Sequence, residues 1–119
     1  MPRAASLLVA LLLVAISAAP ADAAGLTVRF KTFPASVARN ANATVVVNVK
    51  AGATCSISVT YKSGRSTAAG LVSKKASSSG VASWTWKVGS RTSIGAWPVR
   101  ISCKLGTATG TVTRNLVVR

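Results

Sequence analysis

Three tryptophans lie close together in a chain that is otherwise poor in aromatic residues. Trp84, Trp86 and Trp97 fall within the segment SWTWKVGSRTSIGAWPV, where basic residues are interspersed with them. Indole rings beside cationic side chains can stack on bases or sugars and so form a binding platform. Large rings also fill protein cores. Which of the two applies here depends on the face of the strand that each ring occupies.

Most of the side chains used in catalysis are missing. The 119 residues include one acid, Asp22, and no histidine. Acid–base catalysis near neutral pH relies mainly on His, Asp or Glu, and zinc or calcium sites need His, carboxylates or paired thiolates. A Ser–Lys pair or Tyr61 remains for nucleophilic chemistry, and no spacing singles either out. We therefore predict a protein that is not an enzyme and has no cofactor or metal site.

The N-terminus is typical of a secretory signal peptide. Arg3 is followed by an apolar stretch at residues 7–16 and by the small-x-small cleavage pattern of residues 21–23. This stretch is too short to span a bilayer comfortably, although an uncleaved anchor is the alternative. We predict a signal peptide at residues 1–23 and one domain at residues 24–119, secreted or attached to the cell surface. No transmembrane segment is expected after cleavage.

Cleavage would leave the mature chain with side-chain charges of one sign only. The sequence has 15 Lys and Arg residues, and loss of Arg3 and Asp22 leaves fourteen basic side chains and no side-chain carboxylate. Side-chain salt bridges are then impossible, and solvent and counter-anions must offset the repulsion between like charges. We expect added salt to stabilise the fold and polyanions to be attracted to it.

Apolar and polar residues alternate with a period of two through most of the mature chain, which predicts half-buried strands. The segments are residues 26–31, 44–50, 55–62, 81–88, 97–105 and, less regularly, 107–118. A short edge strand at Leu71 and Val72 is a further candidate, and residues 73–80 are expected to form a solvated loop. About seven short strands joined by Gly and Ser turns predict an all-β, antiparallel Greek-key β-sandwich.

The same alternation predicts which aromatic and cysteine side chains face the core. Trp84 and Trp86 occupy apolar positions in the alternation of residues 81–88, and Trp97 lies on the same side as Cys103 in the alternation of residues 97–105. The predicted core aromatics are Tyr61, Trp84, Trp86 and Trp97. Cys55 and Cys103 are the two cysteines of the chain, and an exported protein favours their pairing over free thiols. Closing a loop of this length would contribute about 4 kcal/mol of stability.

Three segments resemble the small immunoglobulin-like or fibronectin-type-III-like domains of exported bacterial proteins. They are GATCSISVTYKSG, GVASWTWKVG and TSIGAWPVRISC, and the resemblance extends roughly over residues 44–118. The residues that carry it are Cys55, Tyr61, Trp84, Trp86, Trp97 and Cys103. The resemblance implies an immunoglobulin-like β-sandwich that serves as a non-catalytic extracellular module for adhesion, spacing or ligand contact.

Basic residues fall on the outward phases of both predicted sheets and in the loops between strands. The candidates for contact with polyanions are Lys62, Arg65, Lys74, Lys75, Lys87, Arg91, Arg100 and Lys104. Such charge attracts anionic envelope or extracellular polymers, for example teichoic-type polymers, acidic polysaccharides or phospholipid surfaces, without a defined pocket. One alternative is an extracellular nucleic-acid-binding or cationic toxic protein that contacts phosphates non-specifically. Another is a structural subunit that assembles through edge strands.

Overall fold

Strands dominate the part of the chain that the structure, a computed structural model, describes, namely residues 25–119. The predicted signal peptide at residues 1–23 lies outside the described residues. Eight strands occur within residues 25–119. They are β1 Arg29–Thr32, β2 Asn42–Asn48, β3 Thr54–Tyr61, β4 Gly64–Arg65, β5 Lys74–Lys75, β6 Val81–Lys87, β7 Gly95–Leu105 and β8 Ala108–Val118.

The strands form two sheets whose neighbouring strands all run antiparallel. The first sheet has three strands in the order β1-β2-β6, and the second has five, in the order β4-β3-β7-β8 with β5 also paired to β3. The chain passes from one sheet to the other between β2 and β3, between β5 and β6, and between β6 and β7. The prediction of an all-β sandwich of antiparallel sheets is confirmed.

Alternation of side chains is the local cause of these strands. In β3 the burial pattern along TCSISVTY places Cys55, Ile57 and Val59 inside, while Thr54 and Ser56 are exposed. Successive side chains of an extended strand point to opposite faces, so one face of each sheet collects the apolar residues and turns towards the other sheet. No polar or charged side chain is buried among residues 25–119.

The core between the sheets contains residues from both of them. Its largest fully buried side chains include Trp84 and Trp86 from β6, Ile101 from β7 and Leu116 from β8. Valines of β2, β3 and β7 fill much of the remaining volume, and the two half-cystines belong to the same cluster.

The segment between β3 and β6 differs from its prediction. Leu71 and Val72 form no strand, and the Val72 carbonyl accepts a hydrogen bond from the Trp84 indole at 2.8 Å. The residues that do pair are Lys74 and Lys75, which lie opposite Cys55 and Thr54 of β3. The predicted strand at residues 71–72 is therefore wrong. The predicted loop at residues 73–80 is wrong where β5 pairs with the sheet.

The N-terminal strand is shorter than predicted because its first residues pair with a different sheet. Strand β1 begins at Arg29, whereas the Leu26 amide donates a hydrogen bond to the Thr109 carbonyl of β8 at 2.9 Å. Gly110 makes this approach possible, because a side chain at that position would collide with the Leu26 carbonyl. Farther along, the Val37 amide donates to the Val117 carbonyl at 2.8 Å. The N-terminal segment thus covers both ends of the outer edge of β8.

Candidate polyanion-binding surface

The tryptophans of β6 are not available as a stacking platform. Trp84 and Trp86 are 0% and 1% exposed, and their rings lie in the core between the sheets. The Trp86 Nε1 donates a hydrogen bond to the Tyr61 hydroxyl at 3.1 Å, and Trp84 Nε1 donates to the Val72 carbonyl. Both indole N–H groups are satisfied inside the protein, as buried indoles require.

Trp97 and Tyr61 lie at the margin of this core. Both are half-buried and pack against the buried cluster. The Trp97 Nε1 donates to the Ser93 carbonyl at 2.8 Å, and the ring lies close against Gly95. The two rings therefore have a packing role and also retain some contact with solvent.

A disulfide joins Cys55 and Cys103, with an S–S distance of 2.05 Å and a Cα–Cα distance of 4.0 Å. The two residues lie directly opposite each other on the neighbouring strands β3 and β7. In antibody domains the conserved disulfide instead joins the two sheets. The bridge found here staples one sheet internally, close to the end where β5 joins it.

All the basic side chains of residues 25–119 are exposed. The eight candidates lie in both sheets and in loops: Lys62 directly after β3, Arg65 in β4, Lys74 and Lys75 in β5, Lys87 in β6, Arg91 between β6 and β7, and Arg100 and Lys104 in β7. The structure does not gather these eight side chains into one site. Six further basic residues are exposed as well, namely Arg29, Lys31, Arg39, Lys50, Arg114 and Arg119.

Two of these six residues contact other side chains. The Arg114 guanidinium lies over the Phe33 ring, 5.1 Å from its centroid, in a cation–π arrangement. The Arg119 Nε donates a hydrogen bond to the Ser36 hydroxyl at 2.9 Å. Arg114 of β8 and Arg119, which directly follows β8, thus contact the segment between β1 and β2 and help to hold it in place.

The exposed face of the five-stranded sheet carries short hydroxyl side chains in register with cations. Opposed residues of neighbouring strands form three rows across the sheet: Lys75, Thr54, Lys104 and Thr109; Ser56, Ser102 and Thr111; and Ser58, Arg100 and Thr113. We call these three rows the hydroxyl face. Its side chains point away from the core because their neighbours along each strand point into it.

An open depression of about 380 Å³ lies on the hydroxyl face. Its lining residues are Thr54, Ser56, Ser73, Ser102, Cys103, Lys104, Thr109, Gly110 and Thr111. Within it the hydroxyls of Ser102 and Thr111 are 3.3 Å apart and share a hydrogen bond. The depression thus combines small hydroxyl groups, which both donate and accept hydrogen bonds, with one ammonium group.

The exposed face of the three-stranded sheet has a different composition. Val46 lies in the middle of its central strand, and the Thr44 and Thr85 hydroxyls are hydrogen-bonded to each other at 2.9 Å. Its strand cations include Arg29 at one edge and Lys87 at the other, opposite Asn48 and Asn42 respectively. Cations are thus present on both exposed faces, whereas a row of hydroxyls that continues across three strands, Ser56, Ser102 and Thr111, occurs on the larger sheet.

Sequence reasoning did not single out the hydroxyl face. The alternation of Ser and Thr with apolar residues in TCSISVTY is visible in the sequence, and so is that of Arg100, Ser102 and Lys104 in the later strand. The missing information was the register, which places Thr54 beside Lys104 and Ser58 beside Arg100. The pairing of Cys55 with Cys103 gives that register only once their strands are known to be neighbours in one sheet, where the two cysteines are opposed.

Across residues 25–119, no three side chains of the types His, Cys, Asp and Glu come together in a way that could hold a metal ion. This part of the chain also has no helix long and apolar enough to cross a membrane. No protein-family model matches the sequence, and the search of curated proteins finds no significant match.

Proposed function

We propose that this chain is an exported, non-catalytic, immunoglobulin-like module that associates with anionic envelope or extracellular polymers through distributed positive charge. One observation carries the proposal. All fourteen basic side chains of residues 25–119 are exposed, and no Asp or Glu occurs in these residues to balance them. A surface whose side-chain charges are all positive attracts polyanions over several ångströms and needs no deep pocket.

The disulfide supports the exported location. Disulfides form and persist in oxidising compartments and are rare where cytosolic thiol systems keep cysteines reduced. The Cys55–Cys103 bridge joins two buried half-cystines, 0% and 2% exposed. A buried bridge is also protected from exchange with external thiols, as suits a protein at the cell surface or in the medium.

The order of the strands supports the immunoglobulin-like relationship. In that architecture the first, second and fifth strands share one sheet, and the third, sixth and seventh share the other. The corresponding strands here are β1, β2 and β6 in one sheet and β3, β7 and β8 in the other. The fourth strand of the constant-type immunoglobulin domain belongs to the first sheet, whereas the short strands β4 and β5 here pair with β3 of the second sheet. The placement of the disulfide within one sheet departs from the antibody pattern.

The two alternative functions are less well supported. Proteins that bind single-stranded nucleic acid combine charge with exposed aromatic rings, and here Trp84 and Trp86 are buried. Assembly through the outer edge of β8 is hindered, because both ends of this edge are hydrogen-bonded by Leu26 and Val37.

The test is retention of the purified chain on immobilised polymers over a series of salt concentrations. We expect binding to an anionic envelope polymer such as poly(glycerol phosphate), with log affinity falling linearly as log salt rises, because bound counterions are released. An uncharged polysaccharide of similar length is the control and should retain nothing. The proposal is wrong if no anionic polymer holds the chain even at low salt. It is also wrong if duplex DNA is bound more tightly than the envelope polymer at every salt concentration.

A further inference from the structure

The hydroxyl face offers a more specific arrangement than charge alone. Lys104 and Arg100 lie four residues apart on the same side of β7, which separates their Cα atoms by about 13 Å. Lys75 and Lys104 lie in one row with Thr54 between them, at two strand spacings, or about 10 Å. Cations therefore recur along and across the face, with hydroxyl side chains between them.

The groups between the cations suit a ligand that is itself rich in hydroxyls. Thr54, Ser56, Ser102 and Thr111 line the depression, and each hydroxyl both donates and accepts hydrogen bonds. An ammonium such as that of Lys104 binds a phosphate as a point charge from many directions. Polyol units can exchange hydrogen bonds with the hydroxyls, while phosphodiester groups pair with the cations.

The face lacks the groups that recognise rings. The three rows contain no aromatic side chain, whereas single-stranded nucleic acids are held largely by stacking of bases on aromatic rings. Apart from Lys104, the side chains that line the open depression are short. A flexible, linear polymer whose units contain no rings makes no stacking interactions, so it loses nothing by binding to a surface without aromatic side chains.

We propose that the hydroxyl face is the polymer-binding surface of this protein and that its ligand is a linear polyol-phosphate chain. The phosphodiester groups lie near Lys104, Arg100 and Lys75, and the polyol units lie over the Ser and Thr rows between them. The inference rests on the proposed function and adds to it a location and a ligand chemistry. The exposed face of the three-stranded sheet then contributes only long-range attraction.

The experiment compares two variants that each remove two positive charges. Lys104→Gln/Arg100→Gln alters the hydroxyl face, and Arg29→Gln/Lys87→Gln alters the opposite face. Affinity for poly(glycerol phosphate) is measured by calorimetry from about 50 to 200 mM salt, the range in which phosphate contacts are strongly salt-dependent. We expect the first variant to bind at least tenfold more weakly, with a salt slope reduced by about 1.4 for two lost phosphate contacts. The second should lose less than threefold.

A second pair of variants tests the hydroxyls without changing charge. Thr111→Val removes a hydroxyl of the depression at constant shape, and Thr85→Val does the same on the opposite face. We expect Thr111→Val to weaken binding of poly(glycerol phosphate) about threefold or more at an unchanged salt slope, and Thr85→Val to have no effect. Inorganic polyphosphate, which has no polyol, should be bound equally by Thr111→Val and the unaltered chain.

The outcomes separate this inference from the broader proposal. If the unaltered chain binds the polymer but both charge variants lose affinity equally, the polymer has no preferred face and this inference is overturned while the proposed function stands. Equal effects of Thr111→Val and Thr85→Val overturn the polyol part in the same way. Tighter binding of anionic phospholipid vesicles than of poly(glycerol phosphate) overturns the ligand assignment while the proposed function stands, whereas tighter binding of duplex DNA at every salt concentration overturns both. Melting temperatures no more than about 2 °C below that of the unaltered chain show that the exposed substitutions leave the fold intact.

Discussion

The two faces of the five-stranded sheet are built from the same strands and have opposite roles. On the inner face β3 and β7 present Cys55, Ile57 and Ile101, which are all at most 4% exposed. On the outer face the intervening residues include Ser56 and Arg100, which are both exposed. Core packing and the proposed ligand contact therefore depend on alternate residues of the same strands, and substitutions on the two faces should affect different measurements.

The largest effect is expected from breaking the inner face at the disulfide. Cys55→Ala/Cys103→Ala removes a bridge with a sequence separation of 48, and the chain-entropy model gives a loss of about 4 kcal/mol in the free energy of unfolding. Denaturant unfolding under non-reducing conditions measures this loss. An unchanged melting temperature on reduction of the unaltered protein would contradict a stabilising role for the bridge.

A smaller loss of stability should follow from removing one buried hydrogen-bond acceptor. Tyr61→Phe deletes the hydroxyl that accepts the Trp86 indole hydrogen bond and leaves a buried donor without a partner. We expect a loss of about 1–2 kcal/mol in the free energy of unfolding and no change in polymer affinity. Thr60→Val is the matched control, because it lies next to Tyr61 on the exposed phase and should change stability little.

Substitutions of cations on the outer face should lower polymer affinity without lowering stability. Lys104→Gln/Arg100→Gln removes two charges from a surface without side-chain carboxylates, so repulsion between like charges falls. We expect the free energy of unfolding to stay the same or to rise by about 0.5 kcal/mol at low salt, while polymer affinity falls. Added salt should raise the melting temperature of the unaltered chain more than that of the variant, since screening relieves the same repulsion. A clear loss of stability in the variant would show that these side chains also support the fold.

The smallest effect concerns pH. Residues 25–119 contain no Asp, Glu or His, so neither face of the sheet has a side chain of a type that ordinarily changes charge between about pH 4.5 and pH 7. The number of protons bound should be the same in the folded and unfolded states over this range, and the slope of stability against pH should be close to zero. Melting curves recorded across the range test this, and a midpoint near pH 6 would refute it.

Much of the interior was predictable because the face of a sheet that a side chain occupies depends on its position in the alternation along the strand, which is a local property. In an extended chain each side chain points opposite to its neighbours, so Trp84 and Trp86 had to share a face with Val88, and all three are buried. Trp97 also lies on the apolar side of its strand, but it is near the end of that strand, where the core gives way to solvent. The alternation thus predicts which face of a sheet a side chain occupies better than it predicts how deeply that side chain is buried.

The pairing of strands was less predictable because it depends on residues distant in the chain. Apolar content suggested a strand at Leu71 and Val72, yet Lys74 and Lys75 pair with β3 instead. Similarly, Leu26 continues the alternation of β1 but its backbone is bonded to Thr109 of the other sheet. Backbone hydrogen bonds are much the same for every residue type, so composition alone does not choose between possible partners.

The sequence by itself determined the class of fold, the inward and outward phases of the long strands and a surface charge of a single sign. Each follows from residue types and from a period of two, and needs no knowledge of distant contacts. Only the tertiary structure decided that Cys55 opposes Cys103 within one sheet, that Thr54 and Thr109 flank Lys104, and that the hydroxyls meet in one depression. The register depends on how whole strands pack against each other, and no short stretch of sequence contains that information.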